Sequence, residues 1–253
     1  MMTKKFLLSI GLAAATLFAT AQDAETLMKE GLKLEQQLKD TLAIGKYAKA
    51  FQANPKNIKA AIKCAEMNCS IGTREKNAAA KLKYYSNART FAGAALQLDS
   101  NNADANYINA VVYGKLTEVE SSNQKTVEAV KNIKTYADKA LTINPNHGKA
   151  WYVIGKWHYE VLNLNAVKRT AVKLFYGGLP KATVETAISS FEKCKTLEPY
   201  FALNYLALGK AYYYNKQYEK ALAALEQCVK CPTLMPEDKT TKEEAKALVV
   251  KWQ

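Results

Sequence analysis

Apolar residues recur at helical intervals along most of this chain, and the clearest case is residues 202–232, ALNYLALGKAYYYNKQYEKALAALEQCVKCP. Tyr205, Leu208, Gly209 and Tyr212 share one stripe of a first predicted helix. Ala221, Leu225 and Cys228 share one stripe of a second, and Pro232 closes the unit. Apolar positions three and four apart mark an amphipathic helix. Gly209 and Ala221 are the small members, so they predict the point where the two helices cross closely. Leu208, Tyr212 and Leu225 fill the seam between them. One such pair leaves an apolar face open and requires stacked neighbours.

The rest of the chain supplies those neighbours. Residues 24–56 repeat the spacing with Leu27, Gly31, Leu34, Ala43, Tyr47, Ala50 and Pro55. Glu30 interrupts one seam position there, as a terminal repeat tolerates. Residues 57–103 form a stretched unit, opened by the small residues Ala61, Cys64 and Ala65 and closed by Ala88, Ala92 and Ala95. Residues 104–147 follow, with Asp104 as the expected helix cap. Tyr107, Ala110 and Val111 open this unit, and Ile133, Ala137, Ala140 and Pro145 close it. Residues 148–201 carry Trp151, Ile154, Gly155 and His158, then Ala187, Phe191, Cys194 and Pro199, with an insertion over residues 163–182 between them. Inside the insertion, Val167 to Phe175 predicts a short basic helix ended by Gly177-Gly178-Leu179-Pro180. The lead unit covers residues 202–235. Beyond it, Pro236, Glu237 and Asp238 predict a helix start, with acids at the positive end of the dipole. Ala245, Leu248, Val249 and Trp252 then lie on one face of a closing helix over residues 236–252.

These residue types at an interval of about 34 residues are the tetratricopeptide (TPR) pattern. The expected fold is all-α: an α-solenoid of about five TPR-like helix–turn–helix repeats with a C-terminal capping helix. Composition agrees, since glycine (11) and proline (6) are scarce among 253 residues.

Residues 1–21 read as a signal peptide. Lys4 and Lys5 give a basic start, Phe6 to Phe18 an apolar run, and Ala19-Thr20-Ala21 a small-x-small cleavage site. Cleavage after Ala21 makes Gln22 the first mature residue and places the protein in the periplasm or outside the cell. The apolar run is shorter than the roughly 20 residues that span a bilayer. The formal charge of +13 falls to +11 when Lys4 and Lys5 leave with the signal, because residues 1–21 hold no acid. That excess fits a lysine-rich solvated surface, or attraction to an acidic partner or an anionic surface. No nucleic-acid recognition motif accompanies it.

Several segments resemble one family. Gly155-Lys156-Trp157-His158-Tyr159-Glu160-Val161 and Lys173-Leu174-Phe175-Tyr176-Gly177-Gly178-Leu179-Pro180-Lys181-Ala182-Thr183 are similar to the central signature of the regulator of microtubule dynamics family. Leu208-Gly209-Lys210-Ala211-Tyr212, Tyr218-Glu219-Lys220-Ala221-Leu222 and Pro236-Glu237-Asp238-Lys239 continue the match, which runs from about Asp104 to Glu244. The resemblance implies an all-helical TPR-like fold, here as an exported bacterial-type member. It transfers no catalytic residues.

Candidate chemistry is sparse. Cys228-x-x-Cys231 falls at a helix C-terminus, where the dipole disfavours a thiolate, so Cys228 and Cys194 read as packed small residues. A Cys228–Cys231 disulfide is the alternative in an oxidising compartment. His147 and His158 lie out of sequence reach of that pair for a zinc site, and His158 sits in a seam slot equivalent to Tyr212. Nothing predicts a catalytic residue, a cofactor or a metal, and the chain reads as a non-enzyme. The lysine–asparagine clamp of some TPR domains is matched only by Asn109 and Lys149, and is not expected. The candidate site is instead a peptide-binding groove of Tyr152, Lys156, Tyr159, Lys210, Tyr213 and Tyr214 on the first helices of the last two units. Aromatic faces beside lysines suit a protein or peptide with acidic and apolar side chains. Two alternatives stay open. One is a small-molecule binder or enzyme whose pocket is lidded by residues 163–182, with Phe175 and Tyr176 closing over Tyr159. The other is a purely structural envelope subunit.

Overall fold

The computed structural model describes residues 23–178 and 180–252; the expected signal peptide and Leu179 lie outside the described residues. Twelve helices are present among them, and no strand. They are α1 (residues 23–36), α2 (Asp40–Ala53), α3 (Ile58–Arg74), α4 (Ala78–Leu98), α5 (Ala103–Leu116), α6 (Asn123–Ile143), α7 (Gly148–Leu162), α8 (Ala166–Tyr176), α9 (Val184–Leu197), α10 (Ala202–Tyr214), α11 (Tyr218–Lys230) and α12 (Asp238–Trp252). The fold is an α-solenoid of TPR-like pairs.

Local sequence fixes where these helices begin. Asn57, Asn77, Asn102, Ser122, His147, Asn165 and Thr183 each stand before a helix and accept the backbone N–H three residues on. Each cap satisfies one of the N–H groups that a first turn leaves unpaired. Asn102 is therefore the cap of α5, where Asp104 was expected. Asp104 sits in the first turn and receives a hydrogen bond at 3.0 Å from Nε2 of His147, whose Nδ1 accepts the Ala150 N–H. The extra length of the second and third units is absorbed by long second helices: α4 and α6 each run for 21 residues.

The crossings within pairs repeat one motif. A Cβ placed on Gly31 would meet the Tyr47 ring, one on Gly72 the Tyr85 ring, one on Gly155 the Phe191 ring, and one on Gly209 the Leu225 side chain, all closer than 3.0 Å. A bare first-helix backbone thus receives a large side chain from the second helix. Ala43, Ala187 and Ala221 are fully buried beside these crossings. Burying these side chains supplies the main driving force, about 1.5–3 kcal/mol for each large apolar group.

Stacking between pairs is asymmetric. α3 packs on α5, α5 on α7 and α7 on α10, while the second helices α4, α6 and α9 reach the next unit through its first helix. The first helices therefore form the inner, concave layer. α12 packs on α10 and α11 and covers the last seam with Ala245, Leu248, Val249 and Trp252. The segment ahead of α12 also reaches back to the start of the solenoid. Glu237 accepts hydrogen bonds from Ser70 and, at 2.5 Å, from Arg74 at the end of α3, and Arg74 also pairs with Asp40 of α2. One guanidinium thus joins the head of the solenoid to its tail.

Candidate functional site

The inner layer carries the candidate groove, and its six residues have different fates. Tyr152, near the start of α7, is 8% exposed, with its ring 5.9 Å from Phe191 and 5.1 Å from Phe201. It is a core residue. Tyr213 stacks face to face on Trp252 at 3.8 Å, and Lys210 is ion-paired with Glu244 at 2.5 Å. Both contacts come from α12, which stands where the first helix of a further unit would stand.

Lys156, Tyr159 and Tyr214 form the remaining open group. Tyr159 of α7 and Tyr214 of α10 meet edge to face at 6.0 Å. Tyr159 is half-buried, and burial raises its phenol above the ordinary range. Tyr214 is 46% exposed. Lys156 is exposed and makes no ion pair among the described residues, while its charge helps to hold Glu118 below the usual carboxylate range. Glu118 itself accepts hydrogen bonds from Lys115 at 3.1 Å and Tyr85 at 2.8 Å. Further along the inner layer, Lys63 bridges Glu35 and Glu66 at 3.1 and 2.9 Å. The inner face is therefore lined by paired charges, with Lys156 as an exposed cation one helical turn before Tyr159 on α7.

Of residues 163–182, Asn163 caps the end of α7 and donates to the Tyr159 carbonyl oxygen at 2.8 Å, but α8 turns away from this group. α8 packs on α6, an outer helix, with Ala171 and Val172 buried against Val127. Lys131 of α6 donates to the Phe175 carbonyl oxygen at 3.1 Å and sits 4.9 Å from the Tyr176 ring centre. Gly177, at φ 86°, ends the helix in the left-handed conformation that glycine favours. Phe175 and Tyr176 are thus held on the outside of the solenoid, away from Tyr159.

The other chemical candidates are packing groups. Cys64, Cys69, Cys194, Cys228 and Cys231 are free, buried thiols. Burial pushes Cys64, Cys69, Cys194 and Cys228 up to about 12. Cys228 donates weakly to the Ala202 carbonyl oxygen at 3.2 Å. His158 is 8% exposed and packs edge to face on Trp157; burial, with Lys134 nearby, lowers its pKa. Asn109 spends its amide on the Ala92 and Ala105 carbonyl oxygens, so it offers nothing to a terminal carboxylate. No group of three metal-ligating residues occurs among the described residues, and no described helix is long and apolar enough to cross a membrane.

Sequence reasoning missed two parts of the inner face. One is the Lys115–Glu118 pair facing Lys156, whose residues fall in the last turn of α5 and just beyond it. The other is the Arg74–Glu237 link; Glu237 had a sufficient role as a first-turn acid, and nothing local marks Arg74.

Comparison with known proteins places this architecture. The model of the family "Regulator of microtubule dynamics protein 1-3" matches residues 20–253. Regulator of microtubule dynamics protein 3 of Xenopus laevis is 32% identical over 134 residues, 53% of this chain and 28% of that protein. Regulator of microtubule dynamics protein 2 of Bos taurus is 27% identical over 168 residues, 66% of this chain and 41% of that protein. The chain thus spans less than half the length of these two relatives. Regulator of microtubule dynamics protein 1 of Caenorhabditis elegans is 22% identical, with 74% of this chain and 80% of that protein covered. Among solved structures, a thermophilic TPR protein of Thermus thermophilus superposes with a TM-score of 0.63 at 13% identity, covering 90% of this chain and 99% of that one. The pilF protein of Pseudomonas aeruginosa gives 0.55 at 14% identity, covering 92% and 93%.

Proposed function

The chain belongs to the regulator of microtubule dynamics protein 1-3 family, and on that premise we propose that it is a non-catalytic TPR scaffold that binds a protein or peptide through its inner face. The observation that carries the reading is the position of the insertion. With α8 on α6, Lys156, Tyr159 and Tyr214 remain uncovered on the inner layer. An extended segment laid along the first helices would set an acidic side chain near Lys156 and an apolar one against the paired tyrosine rings. The same placement weighs against a small-molecule pocket lidded by residues 163–182. Lys210 and Tyr213, already engaged by α12, help shape the end of the groove.

A photo-crosslinking residue at Lys156, set against the same residue on the outer helix α9 at Lys193, tests the reading in cells. The expected result is a discrete protein adduct from position 156 that disappears when the Tyr159→Ala, Tyr214→Ala double variant is made in the same chain, and that weakens with salt. Charges near the surface are screened within about 8–10 Å at physiological ionic strength. Equal adducts from both positions, or an adduct untouched by the double variant, would refute the groove. We further propose that residues 1–21 are a cleaved signal and that residues 22–253 act as one repeat domain in the periplasm or outside the cell. Mass spectrometry of the native protein should find a chain beginning at Gln22, and intact chains beginning at Met1 or Met2 would refute export by cleavage.

A further inference from the structure

The outer face of α8 has a composition that the groove reading leaves unused. Ala171 and Val172 point into the solenoid. Val167 and Leu174, seven residues apart and so on one stripe, point outward with 70% and 72% exposure, and Phe175 is 40% exposed beside them. Arg169 and Lys173, four residues apart, form a second exposed stripe, and Lys168 is exposed as well. The helix is thus amphipathic twice over: one side packs on α6, and the solvent side is divided into an aliphatic edge and a cationic edge. Charge reinforces the pattern. Residues 161–184 contain Lys168, Arg169, Lys173 and Lys181 and no Asp or Glu. Large aliphatic side chains exposed on a helix that is otherwise capped at both ends, by Asn165 and Gly177, call for an occupant.

We propose that α8 docks the protein peripherally on an anionic lipid surface. Val167, Leu174 and Phe175 enter the boundary between headgroups and acyl chains, and Lys168, Arg169, Lys173 and Lys181 contact the phosphates around them. The pattern of aliphatic residues beside basic ones is what an interfacial helix requires, and its binding combines apolar burial with attraction to anionic headgroups. A bilayer fits better than a folded acidic protein because exposed aliphatic side chains lie among four cations and no acid, so the patch offers both insertion and headgroup contact. It stands on the outer layer, where α8 rests on α6. Docking through α8 would leave the inner face free.

Vesicle flotation tests this directly. Full-length mature protein is mixed with vesicles of phosphatidylglycerol and phosphatidylethanolamine, or of phosphatidylcholine alone, at low and at physiological salt. The expected result is flotation with the anionic vesicles only, decreasing with salt. Lys168→Gln, Arg169→Gln and Lys173→Gln together should weaken binding on the order of a hundredfold, since each basic group near such a surface is worth about a factor of five. Val167→Ser with Leu174→Ser should weaken it by about tenfold or more with no change in charge, which separates insertion from a purely electrostatic contact. Both variants alter exposed residues and should keep the wild-type melting temperature, so loss of binding is not loss of fold. Failure of the wild type to float with anionic vesicles at low salt overturns the proposal and leaves an acidic protein as the partner of α8. Unchanged binding by both variants overturns it as well and moves the contact to another basic face. A blue shift of tryptophan emission in a Val167→Trp variant on adding the anionic vesicles supports insertion, and no shift despite flotation refutes it.

Discussion

Replacing Ala221 with leucine is the sharpest probe of the repeat geometry. Ala221 is fully buried where α10 crosses α11. The free space at that crossing can be gauged from its partner. A Cβ on Gly209 would stand 2.8 Å from Cγ and Cδ2 of Leu225 and 3.2 Å from the Ala221 carbonyl oxygen. A crossing that cannot take one carbon without displacing Leu225 cannot take the three that leucine adds. The gain from burying those carbons, about 0.8 kcal/mol per methylene, is realised only if they fit. The net expectation is therefore destabilisation of about 1–3 kcal/mol, as for other overpacked cores. In a domain of this size, 1 kcal/mol moves the melting temperature by about 2–4 °C, so a drop between about 2 and 12 °C is expected. Lys216→Leu is the control. Lys216 lies in the turn between the same two helices at φ 58°, and Leu38 holds the corresponding turn of the first pair at the same φ, so leucine is already tolerated there. Stability in a solenoid is the sum of units and their interfaces, so hydrogen exchange should accelerate in α10, α11 and α12 and leave α4, which has no bond to that tail, unchanged. Equal melting shifts for the two variants, or faster exchange spread evenly along the chain, would refute the crossing geometry.

Two further outcomes follow from buried charge. His158 has a pKa lowered by burial from its ordinary value of 6.5, so the folded state binds its proton less readily than the unfolded state. Its contribution is present above that value and lost as the pH falls below it. Thermal melts between pH 7.5 and 5 should show this loss, with a flatter profile for His158→Gln and an unchanged profile counting against a buried neutral imidazole. Arg74 separates Asp40 from Glu237, whose side chains are 10% and 20% exposed. Arg74→Ala leaves two largely buried acids without their shared cation and should cost about 2 kcal/mol. It should also lengthen the distance between α2 and α12 read by fluorescence transfer, and an unchanged distance would mean that packing alone sets the curvature.

The repeat architecture was legible because close helix crossings tolerate few residue types. A glycine or alanine facing one large side chain recurs from Gly31 and Tyr47 to Gly209 and Leu225, and it survives long insertions because it acts inside each pair. The capping helix was legible for the same reason: an open seam demands an apolar stripe, and Ala245, Leu248, Val249 and Trp252 form one. The insertion was legible as a basic helix with a glycine stop, but its docking side was not, since Ala171 and Val172 would pack equally well against an inner or an outer helix.

The groove shows where periodicity stops being informative. Tyr152 and Lys156 are four residues apart on α7 and share a stripe, yet one is core and the other exposed. Periodicity assigns a residue to a face and says nothing of its depth along the helix. Near its start, α7 is covered by Phe201, the residue that leads into α10. Two turns later that cover has ended, and the stripe opens at Tyr159 and Tyr214. The same limit applies to α12. Its apolar stripe fixed which seam it closes, whereas the reach of Glu244 to Lys210 and of Trp252 to Tyr213 depends on the tilt of α12 across α10, which no local pattern encodes. The Arg74–Glu237 pair is the extreme case, a contact across 163 positions set by the accumulated rotation of every unit between. Such contacts belong to the curvature of the whole solenoid, and that curvature also fixes how wide the inner face opens around Lys156.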